Sequence, residues 1–226
     1  VLGGPPCETW SVARWNGGAR VSEGAPRAVR SAERLWGLPD LNKVEIEQVA
    51  LGNALLRTVV LFLTAARVYG FAAIMEHPQL PSWAPGAPSS WRLQELVSLS
   101  RAGGTADVHL DQCCCGTRWK KPTRLFAVGV PELARLVSVL PGGGRCNRSL
   151  GHVHVSLSGK GDDGVWRTAP AKTYNSAMCK LLADATFGCI KRFLHRHVGV
   201  MAEERGLPAD IEVLHVPLDH YDPESW

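Results

Sequence analysis

Near the start of this sequence a cysteine is held in a stiff turn, where a thiol could act as a nucleophile. Cys7 follows two glycines and two prolines and precedes the run Glu-Thr-Trp-Ser. The prolines fix their own φ angles and remove backbone donors, so no helix continues through Cys7 and a rigid loop presents it. A Pro/Gly-rich loop without any chemistry has the same short pattern. The role of Cys7 therefore depends on what the rest of the chain places beside it.

An acid at the end of an apolar run is the second candidate. Residues 71–75 are apolar, and Glu76 ends the run before a His-Pro pair. A helical repeat of apolar residues at 41–69 precedes this run, and Gly70 separates the two. A helix followed by a strand that ends in an acid is typical of α/β folds, in which functional groups gather at the carboxyl ends of strands. We therefore expect Glu76 to face a site.

Periodicity along the rest of the chain predicts the elements that must position these two residues. Further helices are expected at 91–101, 131–140 and 174–196, and further strands at 106–112, 124–130, 152–157 and 211–216. One domain is assigned to 1–200, with a loop-rich insertion at about 141–170 and a C-terminal tail at 201–226.

A segment rich in glycine and arginine follows the Cys7 loop. It covers 12–39 and carries Arg14, Arg20, Arg27, Arg30 and Arg34. Its glycines and prolines predict a surface loop. Arginines on such a loop are either solvated or, beside a nucleophile, available for phosphate contacts.

Composition limits the class of protein. The chain has 226 residues, of which 45% are hydrophobic and 20% charged, and a net charge of +4 that permits a polyanionic partner. Its seven cysteines show no CxxC pair, which favours a reducing, intracellular compartment. No signal-peptide pattern opens the sequence. The most apolar stretch, 58–66, is too short to span a bilayer, so no membrane partner is expected.

The longer pattern Gly-Gly-Pro-Pro-Cys-x-x-aromatic-Ser at 3–11 resembles the nucleophile loop of the DNA cytosine-5 methyltransferases. In that family a cysteine thiolate attacks carbon 6 of a flipped-out cytosine, a glutamate engages ring nitrogen 3, and carbon 5 takes a methyl group from S-adenosylmethionine. The resemblance implies that Cys7 is the nucleophile and Glu76 the acid at the ring. His77 and Pro78 replace the asparagine and valine of the family's Glu-Asn-Val strand end.

A second motif extends the resemblance to DNA contacts. The segments 111–116 and 120–126 are similar to the part of the family that carries Gln-x-Arg-x-Arg, and the Lys-Pro-Thr version resembles a divergent phage- and mobile-element-like branch. Together with the Cys7 loop, the resemblance implies that the DNA-binding residues are Ser11, Arg14, Lys121, Thr123 and Arg124.

The third motif concerns the methyl donor. Thr-Tyr-Asn-Ser-Ala at 173–177 resembles the family's last motif, Gly-Asn-Ser/Ala-Val, with Tyr174 in place of the glycine. It implies that Asn175 and Ser176, together with Pro5, face S-adenosylmethionine. The family's glycine-rich cofactor turn lies upstream of the cysteine loop, and this chain contains no similar turn. The resemblance therefore implies an N-terminally incomplete, three-layer Rossmann-like sheet with helices on both faces, and further segments of the same polypeptide upstream.

Two other functions remain open. The chain could be a catalytically degenerate methyltransferase-like module that binds nucleic acid or serves as a scaffold within a larger mobile-element-type polyprotein. It could also be a cysteine hydrolase that pairs Cys7 with His77, although no third, orienting residue can be identified from the sequence.

Cysteines and histidines farther along the chain raise the question of a metal. Cys113, Cys114, Cys115, Cys146, His152 and His154 are of the types that bind zinc. Three adjacent cysteines cannot all point the same way, however, and no pair has zinc-finger spacing. We therefore expect buried thiols and no metal site.

Overall fold

The computed structural model of this protein describes residues 1–15, 26–80, 82–147, 151–157 and 159–204, with side chains through Arg192. They form an α/β fold with a four-stranded mixed sheet. In chain order the elements are β1 (Leu2–Gly3), α1 (Lys43–Tyr69), β2 (Ala73–Pro78), α2 (Gln94–Arg101), β3 (Thr105–Asp111), β4 (Pro122–Val128), α3 (Glu132–Ser138) and α4 (Ser176–Glu204). The chain divides into two compact units. The first, Val1–Ile190, contains the whole sheet, and the second begins at Lys191.

The sheet brings the ends of β1 and β2 together. Its strand order is β1-β2-β4-β3, with β1 parallel to β2 and the other two pairs antiparallel. Leu2 lies opposite Ile74 in the parallel pair. Because the two strands run the same way, the chain that leaves β1 toward Cys7 passes the end of β2 that carries Glu76.

Side chains of the two sheet faces pack on different helices, because successive residues of a strand point to opposite faces. Ile74 and Leu125 share one face with Leu133 of α3 and with buried residues of α4. Met75 and Phe126 share the other face with buried residues of α1 and α2. Glu76 lies opposite Leu125 and therefore belongs to the α3–α4 face, whereas its neighbour His77 belongs to the α1–α2 face.

Helix α1 is a single helix of 27 residues. Asn42 and Glu45 form a capping box at its start, and Gly70 ends it with φ 76°. By length and composition it could cross a membrane, although a single such helix is weak evidence for a span. Its buried stripe packs against the sheet, which makes α1 a core helix of this unit. Much of its outer surface is also apolar, with exposed residues that include Val44, Leu51, Leu55, Leu61 and Phe62.

The arginine-rich segment differs from the expected solvent-exposed loop where the structure describes it. Arg30 is buried and donates to the carbonyls of Leu35 and Val49 and to Asn53, while its guanidinium stacks on Trp10 at 3.9 Å. Burial lowers the pKa of Arg30 to about 10. This arginine is therefore part of the core and is unavailable to phosphates. Arg20 lies outside the described residues.

One expected strand is wrong, and another cannot be compared. The residues 152–157 alternate in polarity but form no strand; the Val155 N–H donates instead to the Arg118 carbonyl at 2.8 Å. In the described parts of 141–168 we find only a 3₁₀ turn at Pro141–Gly144 and an isolated bridge between Lys160 and Trp166. The expected strand at 211–216 falls outside the described residues.

Candidate active site

The turn after β1 holds Cys7 firmly. The Trp10 N–H donates to the Cys7 carbonyl at 3.0 Å, and the Trp10 ring is almost fully buried. A Cβ on Gly3 would lie 2.6 Å from the Val59 side chain, so only glycine lets β1 pack this closely on α1. The result is a half-buried Cys7 on a loop that the core fixes at both ends.

Glu76 presents one satisfied and one unsatisfied oxygen. Its side chain is buried, and its Oε2 accepts a hydrogen bond from the Tyr174 hydroxyl at 2.9 Å. Its Oε1 is buried and has no hydrogen-bond partner among the described residues. The nearest cation is Lys121, whose Nζ lies 3.8 Å from that oxygen. A buried carboxylate oxygen without a partner costs free energy unless a ligand supplies a donor.

Lys121 lies beside this carboxylate at the start of β4. Its Nζ donates to the Ala171 carbonyl at 3.1 Å, and only 15% of its side chain is exposed. The ammonium group is thus held over Glu76 and has lost most of its contact with solvent.

The thiol of Cys7 lies within electrostatic range of these charges. Burial raises the pKa of Cys7 above its ordinary value, the charge of Lys121 acts to lower it, and the charge of Glu76 acts to raise it. Burial also raises the pKa of Tyr174, and Glu76 and Cys7 raise it further. The Cys7 thiol is therefore linked electrostatically to Lys121, Glu76 and Tyr174, and of these Lys121 and Tyr174 contact the Glu76 carboxylate directly.

Tyr174 is a site residue that the sequence did not identify. Its hydroxyl would lie 2.8 Å from a Cβ on Gly4, so the tyrosine packs directly against the Cys7 loop. The only signal in the sequence is its departure from the glycine of the family motif. The structure shows that this departure places a hydrogen-bond donor on Glu76.

His77 occupies a different environment from Glu76. Its Nδ1 is 2.8 Å from the Ser90 hydroxyl, and its ring contacts Trp10 and Trp91 edge to face. Burial lowers the pKa of His77 to about 3, with smaller contributions from the charges of Lys121 and Arg30. The imidazole is therefore neutral in the folded state and points away from the Glu76 face. This arrangement disfavours a Cys7–His77 dyad.

The expected DNA contacts on β4 separate from one another. Thr123 is fully buried, and its hydroxyl donates to the Lys121 carbonyl at 3.1 Å. Arg124 points to the opposite face, where it pairs with Asp107 and stacks on Trp91 with 4.4 Å between the guanidinium carbon and the ring centre. Of the three, only Lys121 reaches Glu76.

Ser11 and Arg14 lie in the short 3₁₀ turn after the Cys7 loop. The Ser11 hydroxyl accepts from the Ala13 N–H at 3.2 Å and caps this turn. Arg14 donates to Gln48 on α1 at 3.2 Å. Both side chains are half-buried and have partners within the unit.

The expected cofactor residues do not gather into one polar cradle. Asn175 donates to the Cys115 carbonyl at 2.5 Å and accepts from the Met178 N–H at 3.0 Å, so its amide ties α4 to the 3₁₀ turn at Gln112–Cys115. Ser176 is exposed at the start of α4. Pro5 is buried and lines an open, largely apolar pocket between β1 and α1.

Chemically, the site offers a half-buried thiol within electrostatic range of a carboxylate and an ammonium group. Such a set can add a nucleophile to an electrophilic carbon and exchange a proton with a neighbouring ring atom.

Comparison with protein-family models, with curated proteins and with solved structures finds no match for this chain.

Proposed function

We propose that Cys7 and Glu76 form a cytosine-attacking site of the DNA cytosine-5 methyltransferase type. The observation that carries the proposal is the buried Oε1 of Glu76, which has no hydrogen-bond partner among the described residues and lies within electrostatic range of the Cys7 thiol. A cytosine edge offers an amino donor and a ring nitrogen that can share a proton with a carboxyl group. Such an edge would satisfy this oxygen.

The addition step follows from these groups. The Cys7 S–H bond breaks, its proton passes to the Glu76 carboxylate, and an S–C6 bond forms. The C5=C6 electron pair moves toward carbon 4, and the C4=N3 pair moves onto nitrogen 3, which gains a proton. In this proposal Glu76, protonated by the thiol, delivers that proton and returns to its carboxylate form. Lys121 stabilises the thiolate that must form first, because its charge lowers the pKa of Cys7.

The target base must leave its stack to reach this site. Carbon 6 of a paired cytosine is inaccessible inside a duplex, so enzymes that attack it extrude the base or act on single strands. Cys7 is half-buried on a loop whose Gly4 packs against Tyr174, and this position suits an extruded base better than a groove edge. DNA is therefore the proposed partner, with Lys121 as its contact nearest the chemistry.

S-adenosylmethionine would supply the methyl group of the complete reaction. The described residues do not fit a site for it, since the amide of Asn175 is already used within the unit and Ser176 is exposed away from any polar cradle.

A larger sheet would explain the apolar surface beside β1. This strand lies at one edge of the sheet, and Leu2, Leu55 and Phe62 are exposed next to it. We infer that further strands of the same polypeptide pair with β1 and cover α1, which would complete a three-layer Rossmann-like sheet and supply the methyl-donor site.

A catalytically degenerate binding module is the second candidate. It is favoured by Tyr174, whose bulk packs against Gly4 and whose hydroxyl occupies one oxygen of Glu76. Cofactor binding by an upstream-extended chain that nevertheless transfers no methyl group would support it.

Covalent trapping tests the first candidate. The chain is incubated with a single-stranded oligonucleotide that carries 2-pyrimidinone, a cytosine ring without the 4-amino group and more electrophilic at carbon 6. We expect a denaturation-resistant adduct by intact-protein mass spectrometry, absent in Cys7→Ser and unchanged in Cys179→Ser, whose cysteine is exposed on α4. Methyl transfer by the same chain should be negligible. An adduct that survives Cys7→Ser, or none with the unmodified chain, would refute the proposal.

A further inference from the structure

Four metal-ligating side chains meet at one point, away from Cys7 and Glu76. The Sγ atoms of Cys113 and Cys146 and one ring nitrogen each of His152 and His154 all lie within 4.8 Å of one another. Spacing along the chain argues against a metal site, but the fold brings the four together. We propose that Cys113, Cys146, His152 and His154 bind one Zn²⁺ ion as a closed tetrahedral site.

Two sulfur–nitrogen separations match the edges of a zinc tetrahedron, and the nitrogen–nitrogen separation is shorter than its edge. Metal–ligand distances of about 2.3 Å to sulfur and about 2.0–2.1 Å to nitrogen place a sulfur and a nitrogen ligand about 3.6 Å apart and two nitrogens about 3.3 Å apart. The Sγ of Cys146 is 3.5 Å from the Nε2 of His152 and 3.5 Å from that of His154. The two Nε2 atoms are 2.9 Å apart. Zinc binding would require the two imidazole nitrogens to move apart by about 0.4 Å, with the Cys113 sulfur already within 4.8 Å of the other three donors.

The chemistry of the donors selects the metal. Two thiolates and two imidazoles are the set that zinc takes in structural sites, whereas Mg²⁺ and Ca²⁺ require oxygen ligands. Four protein ligands leave no open position for a bound water, so the ion has a structural role and no catalytic one.

The ligands come from three separate pieces of the first unit. Cys113 belongs to the buried 3₁₀ turn that follows β3. Cys146 follows Gly144, whose φ is 79° and where a Cβ would lie 2.7 Å from Val137. The two histidines belong to the extended segment that includes Val155. One ion would attach this segment, which has no helix or strand of its own in its described part, to the end of the sheet.

Polar groups beside the cluster hold one of its ligands in place. The N–H of Cys146 donates to the Oδ2 of Asp111 at 2.9 Å. Lys120 lies 3.6 Å from the same carboxylate and 3.5 Å from the Cys146 carbonyl. Outer partners of this kind orient ligands in zinc sites. These contacts fix the backbone of Cys146 next to the other three ligands.

Metal content of the full chain is the first test. After purification without chelators, inductively coupled plasma mass spectrometry should find one zinc ion per chain. Cys146→Ser and the double variant His152→Gln/His154→Gln should lose most of it. Cys179→Ser, on an exposed cysteine, and Cys114→Ser, next to a ligand, should keep it. Zinc no higher in the unmodified chain than in Cys146→Ser would overturn the proposal, as would an equal loss in Cys114→Ser.

X-ray absorption of the unmodified chain keeps the proposal testable if a variant fails to fold. We expect two sulfur and two nitrogen neighbours at the distances given above. A shell made only of oxygen and nitrogen would refute it. The test is independent of the proposed function, because adduct formation through Cys7 can fail while zinc is bound, and the reverse also holds.

Discussion

Glu76 and His77 are adjacent in the sequence and both buried, yet the strand sends them to different surroundings. On the α3–α4 face, Glu76 contacts an ammonium group and a phenol within electrostatic range of the Cys7 thiol, and one of its oxygens has no hydrogen-bond partner in the described structure. On the α1–α2 face, His77 lies between two tryptophans and is kept neutral. The Nε2 of His77 also lacks a hydrogen-bond partner in the described structure, so the two sites differ in their neighbours: charged groups around Glu76 and aromatic rings around His77. The comparison predicts stability effects on one face and reactivity effects on the other.

The largest effect on stability is expected from a substitution on the α1–α2 face, where aromatic rings surround His77. Trp10→Ala removes a ring that packs against Trp36, His77 and the Arg30 guanidinium. We expect a loss of about 3–5 kcal/mol in the free energy of unfolding, because a large buried ring leaves a cavity. Urea denaturation monitored by far-UV circular dichroism measures it. A loss below about 1 kcal/mol would show that the aromatic contacts on the α1–α2 face contribute little to stability.

The neutral state of His77 predicts a dependence of stability on pH. Its pKa is about 3 in the folded protein and about 6.5 unfolded, so between these values the unfolded state binds the extra proton. Stability should therefore fall as the pH drops below 6.5, by up to about 1.4 kcal/mol per pH unit.

Denaturation curves at pH 7.0, 6.0 and 5.0 measure this slope. In His77→Gln the slope should flatten, whatever the variant's stability at neutral pH. An unchanged slope in His77→Gln would assign the effect to other groups and weaken the contrast between the two faces.

A smaller effect on stability is expected from a substitution beside Glu76 on the α3–α4 face. Tyr174→Phe removes the hydroxyl that donates to Glu76 Oε2 and leaves a buried carboxylate oxygen without that partner. The expected cost is about 1–3 kcal/mol. Tyr69→Phe is the matched control, because Tyr69 is exposed at the end of α1 and should change stability little. Equal effects of the two variants would argue against the Tyr174–Glu76 contact.

The finest test uses two variants with opposite effects on the thiol. Lys121→Met should raise the pKa of Cys7, because it removes a charge that favours the thiolate, and Glu76→Gln should lower it. The pH dependence of Cys7 alkylation by iodoacetamide, followed by peptide mass spectrometry, measures both shifts. Shifts in the same direction, or none in either variant, would separate Cys7 from the other two groups and remove the basis of the proposed site.

The elements could largely be predicted from the sequence, since apolar periodicity and local breakers define them. Helix 41–69 appears as Lys43–Tyr69 and strand 106–112 as Thr105–Asp111. Strand β1 was missed because two residues are too short to show a period. The segment 152–157 shows the alternation of a strand but pairs with none, and alternation alone does not supply a partner.

The sequence by itself determined the residue types and the approach of two chain segments. A cysteine on a proline-stiffened turn and an acid at the end of an apolar strand are local features, and in an α/β fold they belong at one sheet edge. Only the tertiary structure decided which side chains join them. In the folded protein Lys121 and Tyr174 contact Glu76, whereas Arg124 lies on the other face and Arg30 is buried. The fold also brings four possible metal ligands together: Cys113, Cys146, His152 and His154. Those outcomes depend on strand register and on contacts between distant segments, which no local spacing specifies.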